Sequence, residues 1–340
     1  MDRSTHLNAG VIGLGVGEKH VRAYQDHPQV DLVAICDFKE ERLKKIKKGD
    51  GRIATYVDDQ KILRDESLNI ISVASYDHFH AKQIVQALNN GKHVMAEKPM
   101  CTSLAELIQI KKTLQENPEL RVSANHVLRT NSRFKRFKTE IQENEFGDIF
   151  YLEGDYFWGR KHKLFGWRAE MDYYSIILGA AIHMIDLVMW LLDERPVEIQ
   201  VMGNNIPSKD SNLRGNSFAV MLLRFENGVI AKLTGNAGCV HPHFHGLKIF
   251  GSQKTLIQDY EGARYYLSSD PDRATAAVSE PYPEKQSRPA VIHSFVDSIL
   301  DRFSPPLVSQ KDVFDVMSIG LAAEKAMTSG HSVEIQYVRP

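Results

Sequence analysis

The chain has 340 residues, a length that suits about two domains around a sizeable core and excludes a small disulfide-stapled scaffold. Its 42 Lys and Arg stand against 43 Asp and Glu, a formal charge of -1, so no global positive field exists to hold a nucleic acid or an anionic membrane. Hydrophobic content of 43% and charged content of 25% are ordinary globular values and argue against disorder, collagen and coiled coil.

From Asn8 to about Ser123 short apolar runs alternate with amphipathic stretches, the pattern of βαβ units around a parallel sheet. Strands are predicted at 9–14, 31–36, 70–74, 93–96 and 121–124, and helices at 18–25, 39–47, 81–89 and 104–115. The third helix closes at Asn90-Gly91 and the fourth stops before Pro118. After Asn125 the rhythm changes. A basic helix at 133–144, a strand at 149–157, an aromatic and basic loop and an apolar helix at 175–192 lead to strand-like runs at 199–203, 218–225, 229–234, 247–250 and 255–258. Asn227-Gly228 reads as a type I′ hairpin turn, since both residues accept positive φ. Residues 268–289, rich in Pro, Ser and charge, read as a surface excursion, before two terminal helices at 291–302 and 310–327. The fold class is therefore α/β: an N-terminal doubly wound parallel sheet over 1–124, and over 125–340 an α+β domain dominated by antiparallel strands. The terminal helices belong to the second part or brace the first.

The first strand runs into Gly13-Leu14-Gly15-Val16-Gly17-Glu18, at the strand-to-helix corner where a dinucleotide pyrophosphate would meet backbone N–H groups and a positive helix end. The usual fingerprint has its third glycine one position later, where Glu18 stands, so a merely structural turn stays open. Asp37 ends the second strand 22 residues after Gly15. An acidic side chain there can accept from an adenosine ribose diol and would repel a 2′-phosphate, favouring NAD over NADP. Lys39 and Arg42 soften that repulsion, and Asp37 as a cap of the next helix is the plainer alternative.

Three further segments carry a resemblance. They are His78-Phe79-His80 with Asn90-Gly91-Lys92-His93-Val94-Met95-Ala96-Glu97-Lys98-Pro99; Asn125 and Arg129 with Phe146-Gly147-Asp148-Ile149; and Trp167-Arg168 leading into Ile182-His183-Met184-Ile185-Asp186. Together with the glycine loop they resemble the glucose-fructose oxidoreductase / inositol dehydrogenase (Gfo/Idh/MocA) family of NAD(P)-dependent enzymes over nearly the whole chain. The resemblance implies a Rossmann domain and a C-terminal domain whose open sheet forms a homodimer or homotetramer interface, with nicotinamide and substrate meeting in the cleft between them. It implies cofactor contacts from Gly13 to Glu18, Asp37, Ser75, His80, Glu97 and Lys98, and substrate contacts from Lys98, Asn125, Arg129, Trp167, Arg168 and His183. His20, His80 and His93 fall at family positions that pack and cap the Rossmann elements.

Lys98 directly follows a parallel strand, so its ammonium projects from the sheet's carboxyl edge, where open α/β sheets bind ligands. It can polarise a substrate oxygen, and with a burial-lowered pKa it can join proton transfer; a surface salt bridge with Glu97 is the bland alternative. His183 lies in an apolar helix with Asp186 one turn on and can trade a proton with a sugar hydroxyl; a satisfied core histidine is the competing reading, and Asp186 is expected to orient rather than react. Inositol dehydrogenase-like members carry an Asp four residues before this histidine, whereas this chain has Gly179. Either Lys98 and His183 suffice, or a side chain of Asp172-Tyr173-Tyr174 takes the missing role.

The loop from Trp158 to Arg168 holds four Lys/Arg and no acid among aromatics. It suits a phosphorylated, acidic or nucleotide-linked sugar, although many basic loops are only solvated surface. Cys239, His241, His243 and His245 alternate as strand neighbours do, but positions about 7 Å apart along a strand are poorly placed to share one zinc, so no metal is expected and the histidines read as pocket or interface groups. Cys36, Cys101 and Cys239 are odd in number and far apart, unlike a secreted disulfide framework, and fit a reducing cytoplasm. No signal peptide is expected in the opening residues, and His183 and Asp186 interrupt the greasiest segment, so no membrane partner is expected either. The expected activity is NAD-dependent hydride transfer between nicotinamide and a hydroxyl or keto carbon of a sugar, cyclitol or nucleotide sugar. The alternatives are an enzyme that keeps its NAD through sugar–sugar oxidoreduction, epimerisation or bond cleavage, and a non-catalytic NAD- or sugar-sensing regulator.

Overall fold

A computed structural model describes residues 6–48, 51–273 and 275–340. Residues 1–5, part of the stretch read for a signal peptide, and position 274 in the surface excursion lie outside it. The chain divides into two compact units: Met1–Val127 with Gln286–Met317 and Val338–Pro340, and Leu128–Lys285 with Ser318–Tyr337.

The first unit holds a parallel sheet of β1 (Leu7–Ile12), β2 (Val30–Cys36), β3 (Ala54–Tyr56), β4 (Ile70–Val73), β5 (His93–Ala96) and β6 (Val122–Ala124), in the order β3-β2-β1-β4-β5-β6. Ile70 to Val73 are all buried, as expected of a parallel strand covered on both faces. Helices α1 (Glu18–Gln25), α2 (Glu40–Lys47), α3 (Asp59–Leu63), α4 (His80–Asn89) and α5 (Leu104–Glu116) make the crossovers. Asn90 and Gly91, the latter at φ +72°, end α4. A reciprocal Ser103/Glu106 box starts α5, a cap worth about 1 kcal/mol. The chain starts at the centre of this sheet, winds outward through β3, and returns to the other side at β4. The corners after β1 and β4 thus flank the point where strand order reverses, the ligand-binding position of doubly wound sheets.

In the second unit α6 (Ser132–Gln142) precedes β7 (Ile149–Phe157), and α7 (Ile182–Leu192) precedes β8 (Pro196–Asn204), β9 (Phe218–Phe225), β10 (Ile230–Asn236), β11 (Phe244–Gly251), β12 (Thr255–Asp259), β13 (Gly262–Tyr266) and β14 (Ala276–Ala277). With β15 (Val333–Glu334) these form one nine-stranded sheet, β14-β13-β12-β11-β7-β10-β9-β8-β15, antiparallel except where β10 runs parallel to β7. One face packs under α7 at β7 and β10, and along β9 the alternate residues Ala219, Met221, Leu223 and Phe225 are buried. Helix α8 (Ala290–Leu300) returns to the first unit and packs on α1; α9 (Gln310–Ser329) begins in the first unit and ends in the second.

Three expectations change. The β9–β10 turn is not type I′: Gly228 has φ +90° but Asn227 is not at positive φ, and Phe225 bonds both Gly228 and Val229, a bulged turn needing only one left-handed residue. The helix predicted over 175–192 widens into a π-turn at Ile177–Ala181, for which an unbroken apolar run carries no periodic signal. The elements at Ala54–Tyr56, Asp59–Leu63, Gly262–Tyr266, Ala276–Ala277 and Val333–Glu334 were not anticipated; each spans five residues or fewer, too few to show a period. Among the described residues no helix is long and apolar enough to cross a membrane.

Candidate active site

In the first unit the glycines do different work. Gly13 sits at φ +85°, and a Cβ there would lie 2.4 Å from the Ala74 carbonyl oxygen; one on Gly17 would lie 2.0 Å from the Gly13 oxygen. These two close the loop onto the sheet. A Cβ on Gly15 would meet only Arg42 Nη1, at 3.7 Å, so this residue leaves room for a ligand. Gly17 is the N-cap of α1 and supplies no side-chain cap, which leaves the positive helix end to an anion. The fingerprint is one residue short because its third glycine is the cap itself. Glu18 turns its carboxylate to Lys45 at 2.9 Å and Arg22 at 2.8 Å, so it can face a cofactor only through its backbone.

Asp37 is buried and bridges two strand ends. Its Oδ2 accepts from the Leu14 N–H at 2.7 Å and from Arg42 Nη1 at 3.0 Å, and its Oδ1 from the Lys39 N–H at 2.9 Å. The N-cap of α2 is Lys39, so Asp37 is not the helix cap; it ties the glycine loop to the end of β2. Beyond it Phe38, 61% exposed, meets Tyr76 edge-on at 5.9 Å, and Tyr76, His78 and Phe79 continue an aromatic wall. An adenosine moiety fits an open glycine loop, an acid at the β2 end and an aromatic wall. Ser75 donates to Gln83 at 2.6 Å, and His80 spans the carbonyl oxygens of Pro99 at 2.7 Å and Ser75 at 3.2 Å, which holds the corner after β4 against the segment after β5.

Glu97 and Lys98 leave β5 through a cis Lys98–Pro99 bond. Glu97 is buried, with Asn125 Nδ2 donating to it at 2.7 Å and His20 Nε2 at 3.1 Å; His20 also meets Ser72 at 2.9 Å. Burial alone would raise its pKa, but His20, the Lys98 charge and Asn125 together bring it down to about 2. Lys98 is half-buried at the carboxyl edge. The Asn125 Oδ1 is buried and meets no donor among the described residues.

In the second unit α7 and the sheet build a cluster. Tyr156 of β7 and His245 of β11 are register partners on one face. His183 stacks on Tyr156 at 5.7 Å and 10°, and stands edge-on to His245 at 6.2 Å. His243 lies 5.1 Å from His245, with its Nδ1 3.2 Å from the Trp158 oxygen, and His245 Nδ1 bonds the Tyr282 hydroxyl. His241 leaves this group for Phe157 and Tyr260, because the chain bends between residues 237 and 243 instead of running as a strand. Among the described residues no group of three or more His, Cys, Asp or Glu has a metal-holding arrangement.

Arg129, expected among the substrate contacts, is engaged by a carboxylate of the chain itself. Both it and Asp186 are buried, and its Nη2 and Nε reach the Asp186 carboxylate at 2.7 and 3.0 Å; the pair pins the 3-10 turn of residues 127–130 to α7. Asp186 thus holds Arg129. A Cβ on Gly179 would fall 2.0 Å from the Tyr174 hydroxyl, so Tyr174 fills the space of the acidic side chain that the resemblance implies. Tyr174 is 1% exposed. Its neighbours Tyr173 and Ser175 both donate to Glu324, whose carboxyl burial pushes up. Trp158, Trp167 and Arg168 pack around the Tyr174 ring. Tyr156 and Tyr282 join the histidine cluster with no sign in the sequence, whereas the sequence already offers Tyr174 for the missing role and His243 and His245 as pocket or interface groups.

Residues 7–126 match the oxidoreductase family GFO_IDH_MocA, described as NAD-binding Rossmann fold, and residues 134–257 match the GFO/IDH/MocA C-terminal domain. The chain belongs to the Gfo/Idh/MocA family. It is 24% identical to a myo-inositol 2-dehydrogenase of Thermotoga maritima over 98% of this chain and 99% of that one. Its fold resembles that of myo-inositol 2-dehydrogenase from Lactobacillus plantarum, with TM-score 0.82 and 23% identity over 97% of this chain and 100% of that one. It also resembles scyllo-inositol dehydrogenase from Lactobacillus casei, solved with NAD(H) and scyllo-inositol, with TM-score 0.78 and 19% identity over 97% and 99%. As a Gfo/Idh/MocA member the chain carries an NAD-binding Rossmann domain over residues 7–126, the span that contains the glycine loop and Asp37.

Proposed function

We propose that this protein is an NAD-dependent dehydrogenase or reductase acting on a CH–OH carbon of a sugar or cyclitol, the inositols for which its relatives are named being cyclitols. The observation that carries the reading is the glycine loop, in which Gly15 leaves open space at the uncapped end of α1 beside the buried Asp37. Gly13 to Glu18 would hold the pyrophosphate through backbone N–H groups, and Asp37 the ribose diol, favouring NAD. When bound, the nicotinamide supplies the hydride acceptor or donor.

Lys98 serves as the group that polarises the substrate oxygen, with Glu97 keeping a negative charge beside it. His183, its ring oriented by Tyr156 and His245, serves as the proton carrier for the substrate hydroxyl. Asn125, whose Oδ1 accepts from no described group, offers an acceptor to a substrate hydroxyl. The three free cysteines support a cytoplasmic setting. The outer face of the nine-stranded sheet, where Met202, Leu222 and Ile230 are 68%, 47% and 46% exposed, supports a homodimer or homotetramer built on that face.

The test is fluorescence titration with NADH and NADPH, followed by an NAD-reduction screen over polyols, sugar acids and nucleotide sugars. NADH is expected to bind at least tenfold tighter. Lys98→Met is expected to lower kcat/KM by about 100-fold or more, the scale of a lost acid–base group, with NADH affinity unchanged. Full activity in Lys98→Met would remove Lys98 from the reaction, and equal affinity for both cofactors would refute the role given to Asp37.

A further inference from the structure

The loop from Trp158 to Arg168 concentrates positive charge, with Arg160, Lys161, Lys163 and Arg168 and no acid, yet only Arg168 among the four is enclosed by rings. Its guanidinium carbon lies 4.2 Å from the Trp167 ring centroid, 5.2 Å from that of Trp158 and 5.4 Å from that of Tyr174. The three rings hold the cation by their π faces and accept from none of its N–H groups as a carboxylate or carbonyl would. One Nη1–H makes a long bond to the Lys163 oxygen at 3.4 Å. The Nε is buried and meets no acceptor among the described residues.

An arginine used only as structure is normally completed by a carboxylate or carbonyl, as Arg129 is by Asp186. The neighbouring acid Asp172 is fully exposed and pairs with Arg214 instead. The cage is continuous with the histidine cluster, because Trp158 gives its ring to Arg168 and its carbonyl to His243. Tyr174, the third wall, lies against Gly179, four residues before His183.

We propose that Arg168 in its aromatic cage receives a negatively charged group of the substrate, so that the substrate is an anionic sugar or polyol bearing a carboxylate or a phosphate. This deepens the dehydrogenase reading and rests on it for the word substrate. Arginine suits the task because its fork pairs both oxygens of a carboxylate or phosphate at once, while the rings hold it in place beforehand.

Two of the three tryptophans, Trp158 and Trp167, belong to the cage, so their emission reports its occupancy without turnover. The NAD-saturated full-length protein is titrated with three matched sugars: glucose, glucuronate and glucose 6-phosphate. A saturable change with one or both anions, at least tenfold tighter than with glucose, is expected, and which anion produces it separates carboxylate from phosphate. Arg168→Gln is expected to bring the anion down to the affinity of the neutral sugar, with Arg168→Lys in between and NADH binding unchanged as the check on folding. Equal affinity for charged and neutral sugars, no saturable change with either anion, or an anion preference surviving in Arg168→Gln each overturns the proposal. Failure of the dehydrogenase reading looks different: anion binding at the cage persists while no sugar or polyol supports NAD reduction.

Discussion

Replacing Gly179 by alanine sets two effects of opposite sign against each other. Helix propensity alone favours alanine by about 1 kcal/mol. The new Cβ, however, would stand 2.0 Å from the Tyr174 hydroxyl and 2.6 Å from its Cζ, and a backbone-fixed Cβ has no rotamer with which to turn away. Tyr174 must retreat until that separation reaches the 3.4 Å at which ordinary contact begins, but it is 1% exposed and walled by Trp158 and Trp167. Overpacking costs about 1–3 kcal/mol, and so tight a contact in so closed a site belongs at the upper end. The net expectation is a loss of about 2 kcal/mol, read from urea unfolding followed by circular dichroism. In a Tyr174→Ala background the same substitution enters vacated space and should stabilise by about 1 kcal/mol, giving a coupling of about 3 kcal/mol between the sites. A Gly179→Ala protein as stable as the parent, or a penalty that persists without the tyrosine ring, would refute the claim that Tyr174 fills this space.

Two further predictions concern stability. The folded pKa of Glu97, about 2 against an ordinary 4.5, corresponds to roughly 3 kcal/mol; because it is depressed, that contribution is present above pH 4.5 and lost as pH falls toward 2. Glu97→Gln should therefore be less stable at pH 7 by about that amount and show a shallower pH dependence of its urea midpoint between pH 5 and 3, and parallel profiles would contradict it. For the buried Arg129–Asp186 pair, Asp186→Asn should cost about 3–5 kcal/mol by stranding a guanidinium, whereas Arg129→Met with Asp186→Leu should recover most of it; simple additivity in the denaturation midpoints would show that the two do not act as a pair.

Much of the first unit was legible because its signals are local. An apolar run followed by glycines marks a strand and its turn, Asn90-Gly91 marks a helix end, and the chain spacing from Gly15 to Asp37 describes one βαβ step. The Glu97–His20–Asn125 network was legible only in part, since the residues stand out but their meeting depends on sheet order. In the second unit only β7 to β12 declared themselves as strand-like runs, and the convergence of His183 with His243 and His245 follows from the pairing of β11 with β7, Tyr156 to His245 across 89 residues of chain, which no local pattern carries. Arg129 is the opposite case. Its type and position suit a ligand, and only the three-dimensional placement of Asp186 reveals that its fork is taken.

The division of the chain alters what a fragment of this protein would be. A piece ending at Val127 would contain the entire six-stranded sheet but lack α8, which packs on α1 and gives His293 to the Ala23 carbonyl at 2.8 Å and Asp297 to His27 at 3.1 Å. In chain order the second unit's residues 128–285 are an insertion within the nucleotide-binding unit, whose closing segment is made more than 150 residues after its last strand. During synthesis the glycine loop therefore emerges early but waits for α8 before α1, the helix it leads into, gains its outer cover.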